Sequence, residues 1–181
     1  MLGACERPMV IKACGSNPML EVYTDASYQI HNDSRSHSCV IVFFGDGGAS
    51  VHGTSGKQPR VTRSTCDSEI VTFEAGTYVG SYFHDVLVEL GVKIKMVLHW
   101  EDNEAALHLV KNGCHEYTKK RKHIVGMIHS AKECFDDGDN DAVAMHCVTE
   151  MMVADIGTKD LHGRAFEDHR ASLHGEEEEL D

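Results

Sequence analysis

The sequence lacks the features of membrane, secreted and disulfide-rich proteins. Its apolar runs fall short of the roughly 20 residues that a membrane-spanning helix requires. Its first residues lack the basic and apolar segments of a secretory signal. Its seven cysteines are odd in number and scattered, with no Cys-x-x-Cys pair. These absences favour reduced thiols, so we expect an intracellular, cytoplasmic protein with no membrane partner.

The patterns for zinc and calcium sites are also incomplete. The chain has 13 histidines, but no two are spaced as His-x3-His, which argues against a zinc site. The acidic turn at 136–141 is similar to the start of a calcium-binding loop. However, Ala142 stands where that loop needs glycine, and Val148 where it needs glutamate. The sequence therefore favours neither ion.

Charge is distributed unevenly along the chain. The net charge of −12 argues against a general nucleic-acid binder, and five of the last six residues are acidic. We expect residues 167–181 to form an acidic, disordered tail. Positive charge gathers at 119–122. Such a stretch is often only the solvated start of a helix, but a local basic strip can bind phosphates even on an acidic protein, so both interpretations stay open.

The sequence does contain the mixture of strand and helix patterns that is typical of an α/β domain. Its 181 residues predict one domain with a sizeable core. Three strands joined by turns suggest an antiparallel meander, and the helical spacing that follows begins at Ser64 and ends at Gly91. The predicted strands are 20–27, 38–44, 49–53, 94–100 and 142–148, and the later helices are about 104–111, about 119–135 and one that begins at Thr149.

Two glycines lie one turn apart within the first predicted helix, at Gly76 and Gly80. Glycine weakens an exposed helix by about 1 kcal/mol relative to alanine. The two glycines are explained if a neighbouring element lies too close to the helix for a larger side chain to fit. The sequence therefore predicts that the backbone of this helix packs closely on the sheet.

Four acidic residues fall where the predicted elements could bring them together. Asp25 lies near the end of the first strand and Asp102 just after the fourth, and ligand sites in such sheets lie outside strand ends. Glu69 is in the first turns of the intervening helix, and Asp155 is on the last one. Four converging carboxylates repel strongly unless cations separate them. Oxygen ligands favour Mg²⁺ or Mn²⁺ over zinc, and two such ions can clamp a phosphodiester for in-line attack.

Seven short motifs occur in unbroken order between residues 20 and 166. They are Tyr-x-Asp-Ala-Ser-Tyr from Tyr23, Asp-x-Arg-Ser-His-Ser from Asp33, Lys-Gln-Pro from Lys57, Arg-Ser-Thr-Cys-Asp-Ser-Glu-Ile from Arg63, Glu-Asp-Asn-Glu-Ala-Ala from Glu101, Lys-His-Ile from Lys122 and Val-Ala-Asp-Ile-Gly-Thr-Lys from Val153. Each motif alone is weak evidence. Together they resemble the ribonuclease H domain of copia-type LTR retrotransposon Pol polyproteins.

The resemblance implies a ribonuclease H-like fold over residues 19–166, with helices packed on a five-stranded mixed sheet. Residues 1–18 are similar to the connection from a reverse transcriptase domain. The implied activity is hydrolysis of the RNA strand of RNA–DNA hybrids with two Mg²⁺ ions, or Mn²⁺. Asp25 would then contact both ions. Glu69 and Asp102 would hold the ion near the leaving group, and Asp155 the ion that activates the attacking water.

The same resemblance implies the partners of the domain. These are an RNA–DNA hybrid and a reverse transcriptase domain of the same polyprotein, within a virus-like particle if the element is active. Ser27 and Asn103 adjoin two of the acids and are candidates for contacting the 2′-hydroxyl groups of RNA. The basic residues Lys119, Lys120, Arg121 and Lys122 follow the third acid, where the family contacts the hybrid.

Two alternatives compete with this interpretation. One is a different phosphotransfer enzyme of the same fold, such as an integrase or resolvase, but four acids in this order match ribonuclease H better than a three-acid pattern. The other is a catalytically silent or co-opted retrotransposon fragment that serves as a nucleic-acid or protein interaction module. The sequence leaves the second alternative open.

Overall fold

The computed structural model describes residues 18–45, 47–114, 122–136 and 142–176. Five strands form one sheet in the order β3-β2-β1-β4-β5. They are β1 Met19–Ser27, β2 His37–Phe44, β3 Ser50–Lys57, β4 Met96–Glu101 and β5 Ala142–His146. Antiparallel pairs join β1, β2 and β3, whereas β4 runs parallel to both β1 and β5. The predicted five-stranded mixed sheet is therefore confirmed.

Within the described residues, four α-helices cover the sheet, and each face of the sheet has its own core. The helices are α1 Thr65–Glu89, α2 Glu104–Asn112, α3 Lys122–Asp136 and α4 Gly163–His174. On one face, Leu20 and Val22 of β1 pack with Val79 and Phe83 of α1. On the other face, Leu173 of α4 packs against a core that includes Cys39 and Ile41 of β2. No helix within the described ranges is long and apolar enough to cross a bilayer.

The close contact predicted for Gly76 and Gly80 is present between α1 and the sheet. A Cβ atom at Gly76 would overlap the Cγ2 atom of Thr24, and one at Gly80 would come within 3.0 Å of the His99 ring. Glycine is needed here because the α1 backbone lies directly on β1 and β4. This contact brings the start of α1 to the sheet edge at which those strands end.

Two predictions near the C-terminus are wrong. The helix predicted from Thr149 is instead a pair of short 3₁₀ segments, Thr149–Met151 and Val153–Gly157. Residues 152–155 are all buried, which one face of an amphipathic α-helix cannot achieve, so the chain turns more tightly. The acidic tail predicted from residue 167 begins too early, because α4 continues to His174. Its buried His169 and the packed Leu173 are spaced i, i+4 among charged residues that conceal the pattern.

The outer parts of the predicted domain division lie outside the described residues. Strand β1 begins at Met19, which is the predicted first residue of the domain. Residues 1–17 of the predicted linker and residues 177–181 of the predicted tail are not among those that the structure describes. The acidic turn considered as a calcium loop is likewise outside them at 137–141.

Candidate active site

The parallel pairing of β1 and β4 brings two of the predicted acids to one edge of the sheet. Tyr23 of β1 is in register with Trp100 of β4, so Asp25 and Asp102 each lie two residues beyond this pair. Asp25 is buried and Asp102 is half-buried. Parallel strands end at the same edge of a sheet, which is where ligand sites of such folds lie.

The other two acids reach this edge from a helix and a turn. The Ser64 side chain accepts a hydrogen bond of 3.1 Å from the Asp67 N–H and so begins α1. Glu69 follows within the first turns, where it is buried. Asp155 lies in the 3₁₀ segment Val153–Gly157 and is also buried.

The predicted acids form two overlapping groups of carboxylates. One oxygen atom from each of Asp25, Asp102 and Asp155 lies within 4.8 Å of the others. A second group with the same spacing joins Glu69 and Asp102 to Glu101. The structure thus brings all four predicted acids together and adds a fifth. Asp102 belongs to both groups, whereas the resemblance assigns the shared position to Asp25.

Glu101 is the site residue that sequence reasoning missed. Burial alternates along β4, so that Val97, His99 and Glu101 face inward, and Glu101 is completely buried. Its Oε1 accepts a hydrogen bond of 3.1 Å from the Asn103 N–H, and its Oε2 accepts one of 3.1 Å from the Thr24 hydroxyl. The alternation of β4 could have identified this acid, because it continues the inward face of an apolar strand.

A lysine and a threonine after Asp155 complete the site. The Lys159 Nζ atom is 2.6 Å from Asp155 Oδ1 and 3.5 Å from Asp25 Oδ1. Thr158 Oγ1 donates a hydrogen bond to Asp25 Oδ2. Burial opposes the positive charge of Lys159, but its hydrogen bond with Asp155 and the charges of both acids outweigh burial and raise its pKa. Sequence reasoning used these two residues only as parts of a motif.

Burial and mutual repulsion disfavour the charged form of the clustered acids. Burial, and then the charges of Glu101 and Asp25, raise the pKa of Glu69. Burial and the charge of Asp102 likewise raise the pKa of Glu101, although its hydrogen bonds act in the opposite direction. Burial and the charge of Asp25 raise the pKa of Asp102. A bound cation would relieve these costs by supplying the missing positive charge.

The residues present fit a divalent metal ion of the magnesium type. Glu69 Oε2 is buried and has no hydrogen-bond partner among the described residues. A buried carboxylate oxygen without a partner is costly unless something binds it. Both groups offer only carboxylate oxygens, which are the ligands that hard cations such as Mg²⁺ and Mn²⁺ prefer.

The predicted substrate-binding residues have mixed placements, and that assignment stays a prediction. Ser27 Oγ donates a hydrogen bond of 2.7 Å to the Thr158 carbonyl. Asn103 is the N-cap of α2, and its Oδ1 accepts a hydrogen bond of 3.0 Å from the Ala106 N–H. Lys122 is exposed at the first residue of α3. Residues Lys119, Lys120 and Arg121 lie outside the described ranges.

Comparison with known proteins identifies a relative of this chain by sequence. No protein-family model matches the chain. It is 31% identical over 156 residues to a retrovirus-related Pol polyprotein from transposon TNT 1-94 of Nicotiana tabacum. The match covers 84% of this chain, which spans only 11% of the polyprotein.

Solved structures with the same architecture are more distant in sequence. RNase H1 from the halophilic archaeon Halobacterium salinarum NRC-1 has a TM-score of 0.54 and 11% identity, with 83% of this chain and 98% of that chain covered. LC11-RNase H1, isolated from compost by a metagenomic approach, was solved in complex with an RNA/DNA hybrid. That complex has a TM-score of 0.52 and 16% identity, with 74% of this chain and 88% of that chain covered.

At these identities the structural likeness establishes the fold, and the polyprotein relative shows a similarity in sequence over 84% of this chain. The two agree with the seven motifs, so the resemblance predicted from the sequence is confirmed. This chain has the ribonuclease H fold, and its sequence is similar to a retrotransposon Pol polyprotein, which is consistent with the ribonuclease H domain of a copia-type element.

Proposed function

We propose that this chain is a metal-dependent endonuclease that hydrolyses the RNA strand of RNA–DNA hybrids. The observation that carries the proposal is the convergence of five carboxylates on one sheet edge, in two groups of three that share Asp102. Such a cluster of acids lowers the stability of the fold. A function that requires bound cations explains why the cluster is present. The hybrid bound to LC11-RNase H1, a protein of the same fold, supports the choice of substrate.

The two carboxylate groups would hold two Mg²⁺ ions, or Mn²⁺. Asp25, Asp102 and Asp155 would hold one ion, and Glu69, Glu101 and Asp102 would hold the other. Two such ions supply a clamp that stabilises the attacking and leaving oxygens of an in-line displacement at phosphorus. This assignment differs from that implied by the resemblance in two respects, because it adds Glu101 and makes Asp102 the shared ligand.

The contribution of the protein is to fix the carboxylates before substrate binds. The Thr24 hydroxyl and the Asn103 N–H each hold one oxygen of Glu101, and the Thr158 hydroxyl holds Asp25. Hydrogen bonds to ligating carboxylates orient them and limit their motion. The chain thus supplies a largely buried set of carboxylates, held by hydrogen bonds, at one edge of the sheet.

We extend the proposal to the context of the domain. The chain spans 11% of its polyprotein relative, and a reverse transcriptase domain of the same polyprotein would supply the hybrid substrate. Ser27 and Asn103 would lie near the RNA strand, and the basic residues at 119–122 would contact the phosphate backbone. A cytoplasmic virus-like particle would be the place of action in an active element.

The test is cleavage of a labelled hybrid by purified protein. We expect Mg²⁺-dependent cutting of the RNA strand, no cutting with EDTA, and little cutting of a DNA duplex of the same sequence. Asp25→Asn should abolish cleavage while retaining hybrid binding. Comparable cutting of duplex DNA, or full activity of the Asp25→Asn protein, would contradict the proposal. Hybrid binding without cleavage would instead support an interaction module.

A further inference from the structure

The ammonium group of Lys159 lies within one of the two carboxylate groups. Its Nζ atom is 2.6 Å from Asp155 Oδ1 and 3.5 Å from Asp25 Oδ1. Both acids belong to the group of three that could hold a metal ion. The lysine therefore supplies a positive charge to the same carboxylates that a divalent ion would require.

The backbone holds Lys159 in this place. Its N–H donates a hydrogen bond of 2.8 Å to the Asp155 carbonyl. Just before it, Gly157 packs so closely on β2 that a Cβ atom would overlap the Cys39 side chain. The Lys159 side chain is 36% exposed, and its charged end contacts Asp155 and Asp25. A flexible four-carbon stem allows that end to move without any change in the backbone.

The charges favour exchange over simultaneous occupancy. A divalent ion and an ammonium group repel each other when both contact the same carboxylate. Three carboxylates with one ammonium group keep a net negative charge, which still attracts a divalent ion but less strongly than three carboxylates alone. Departure of the ammonium group would leave the oxygen atoms of Asp155 and Asp25 available to the ion.

We propose that Lys159 is a tethered cation that occupies the Asp25–Asp155 part of the centre until a divalent ion displaces it from Asp155. The lysine thereby sets the Mg²⁺ concentration at which this part of the centre fills. It also keeps the metal-free domain folded by separating two buried like charges. The inference rests on the proposed function, because it takes these carboxylates to be ligands of the metal ion.

Calorimetric titration of Mg²⁺ into metal-free protein tests the exchange without measuring catalysis. Lys159→Met removes the charge with little change in length, and Lys159→Arg keeps the charge. Lys93→Met is the matched control, because Lys93 is exposed in the loop before β4, at the opposite end of that strand. Ionic strength is kept constant with KCl, because salt screens exposed charges.

We expect Lys159→Met to bind Mg²⁺ roughly ten-fold more tightly than the wild type, equivalent to about 1.4 kcal/mol. Its melting temperature in EDTA should fall, and its gain in melting temperature with Mg²⁺ should rise. Lys159→Arg should change the affinity less, and Lys93→Met should behave as the wild type. Equal or weaker Mg²⁺ binding by Lys159→Met would overturn the proposal, as would the absence of Mg²⁺ binding in both proteins.

A second measurement on the wild type covers the case in which Lys159→Met fails to fold. The rate of acetylation of Lys159 by an N-hydroxysuccinimide ester is followed by mass spectrometry, with Lys93 as the internal reference. Saturating Mg²⁺ should accelerate acetylation of Lys159 relative to Lys93, because displacement frees the amine from its carboxylate partners. An unchanged ratio would overturn the proposal.

These results separate this inference from the proposed function. If the wild type fails to cleave a hybrid but shows the exchange, the tethered cation stands and the nuclease proposal fails. If the wild type cleaves the hybrid while neither Mg²⁺ affinity nor Lys159 acetylation responds as expected, only the tethered cation fails.

Discussion

The carboxylates of Glu69 and Glu101 lie close together inside the fold. Only 3% of the surface of Glu69 and 0% of that of Glu101 is exposed, so two acidic groups share a site with little access to water. The pair forms because β4 turns Glu101 inward, toward the start of α1, where Glu69 lies. Burial, and then the charge of Glu101, raise the pKa of Glu69. Placing these two acids together therefore lowers the stability of the protein without metal. A bound ion would remove that cost, so the role of Glu101 as a metal ligand can be tested through stability.

Glu101→Gln should weaken metal binding while it stabilises the metal-free protein. The free energy of unfolding in EDTA should rise by about 1 kcal/mol at neutral pH, because glutamine is neutral in the fold without taking up a proton, whereas the raised pKa of Glu101 makes its burial costly. The increase in melting temperature with Mg²⁺ should be smaller than in the wild type. Glu104→Gln, on the exposed first turn of α2, is the control. Equal Mg²⁺ gains in the two variants would exclude Glu101 as a ligand.

The benefit from Mg²⁺ should grow as the pH rises. The pKa values of Glu69, Glu101 and Asp102 are raised in the fold, chiefly by burial. The native chain thus keeps protons that the unfolded chain loses above its ordinary carboxyl pKa, and these groups lower stability as the pH increases. An ion replaces those protons. Melting curves from pH 5 to pH 8 should show a Mg²⁺ gain that widens with pH, and a constant gain would contradict the raised pKa values.

His99 should destabilise the protein in acid. It is buried between the rings of Phe73 and Phe135, and burial lowers its pKa to about 3. The unfolded chain binds a proton below about pH 6.5, whereas the native ring stays neutral. Stability from this group is therefore present above pH 6.5 and is lost by about 1.4 kcal/mol per pH unit below it.

Urea denaturation at several pH values measures this effect. His99→Gln should flatten the fall in stability between pH 6.5 and pH 4, even if the variant is less stable throughout. His162→Gln is the control, because the His162 side chain is 81% exposed. The same slope in wild type and His99→Gln would show that His99 does not stay neutral in the fold.

Two glycine-to-alanine changes should have opposite effects on stability. Gly76→Ala should destabilise the protein by roughly 1–3 kcal/mol, because the new methyl group would overlap Thr24 under α1. Gly126→Ala should stabilise α3 by about 0.5–1 kcal/mol, because no described atom lies within 4 Å of a Cβ at this position. Urea denaturation measures both. A shift in the same direction would contradict the close packing of α1 on the sheet.

The basic stretch should control how hybrid binding depends on salt. Replacement of Lys119, Lys120, Arg121 and Lys122 by glutamine should weaken binding and reduce the slope of log Kd against log salt by about 0.7–0.9 for each lost phosphate contact. A titration at several ionic strengths gives the slope. If the slope does not change, the stretch is a solvated helix start.

Regular periodicity made most of the fold predictable from sequence. The alternation of β1 and the helical spacing of α1 gave both elements with small errors at their ends, and Gly76 and Gly80 indicated how the two pack. The end of the chain was harder to predict. Four consecutive buried residues at 152–155 follow neither period, and the charges of α4 conceal the few residues that pack.

The part of the site that was predictable from sequence consists of acids that lie at the ends of predicted strands and helices. Asp25 and Asp102 follow from the rule that parallel strands end together. Glu101 was missed because the predicted strand ended at residue 100, whereas β4 extends to Glu101 and turns it inward. Lys159 could not be assigned a role, since its contact with Asp25 depends on a 3₁₀ turn that no sequence pattern indicated.

The order in which the chain is synthesised has a consequence for this site. Ser27 donates a hydrogen bond to the carbonyl of Thr158, which lies 131 residues later. Asp25 accepts one from the Thr158 hydroxyl, 133 residues later. A ribosome therefore releases strands β1 to β5 and helices α1 to α3 before the residues that complete the acidic edge emerge. A nascent chain that has not been extended past residue 154 lacks Asp155 and Lys159, so the acidic edge stays incomplete until those residues emerge.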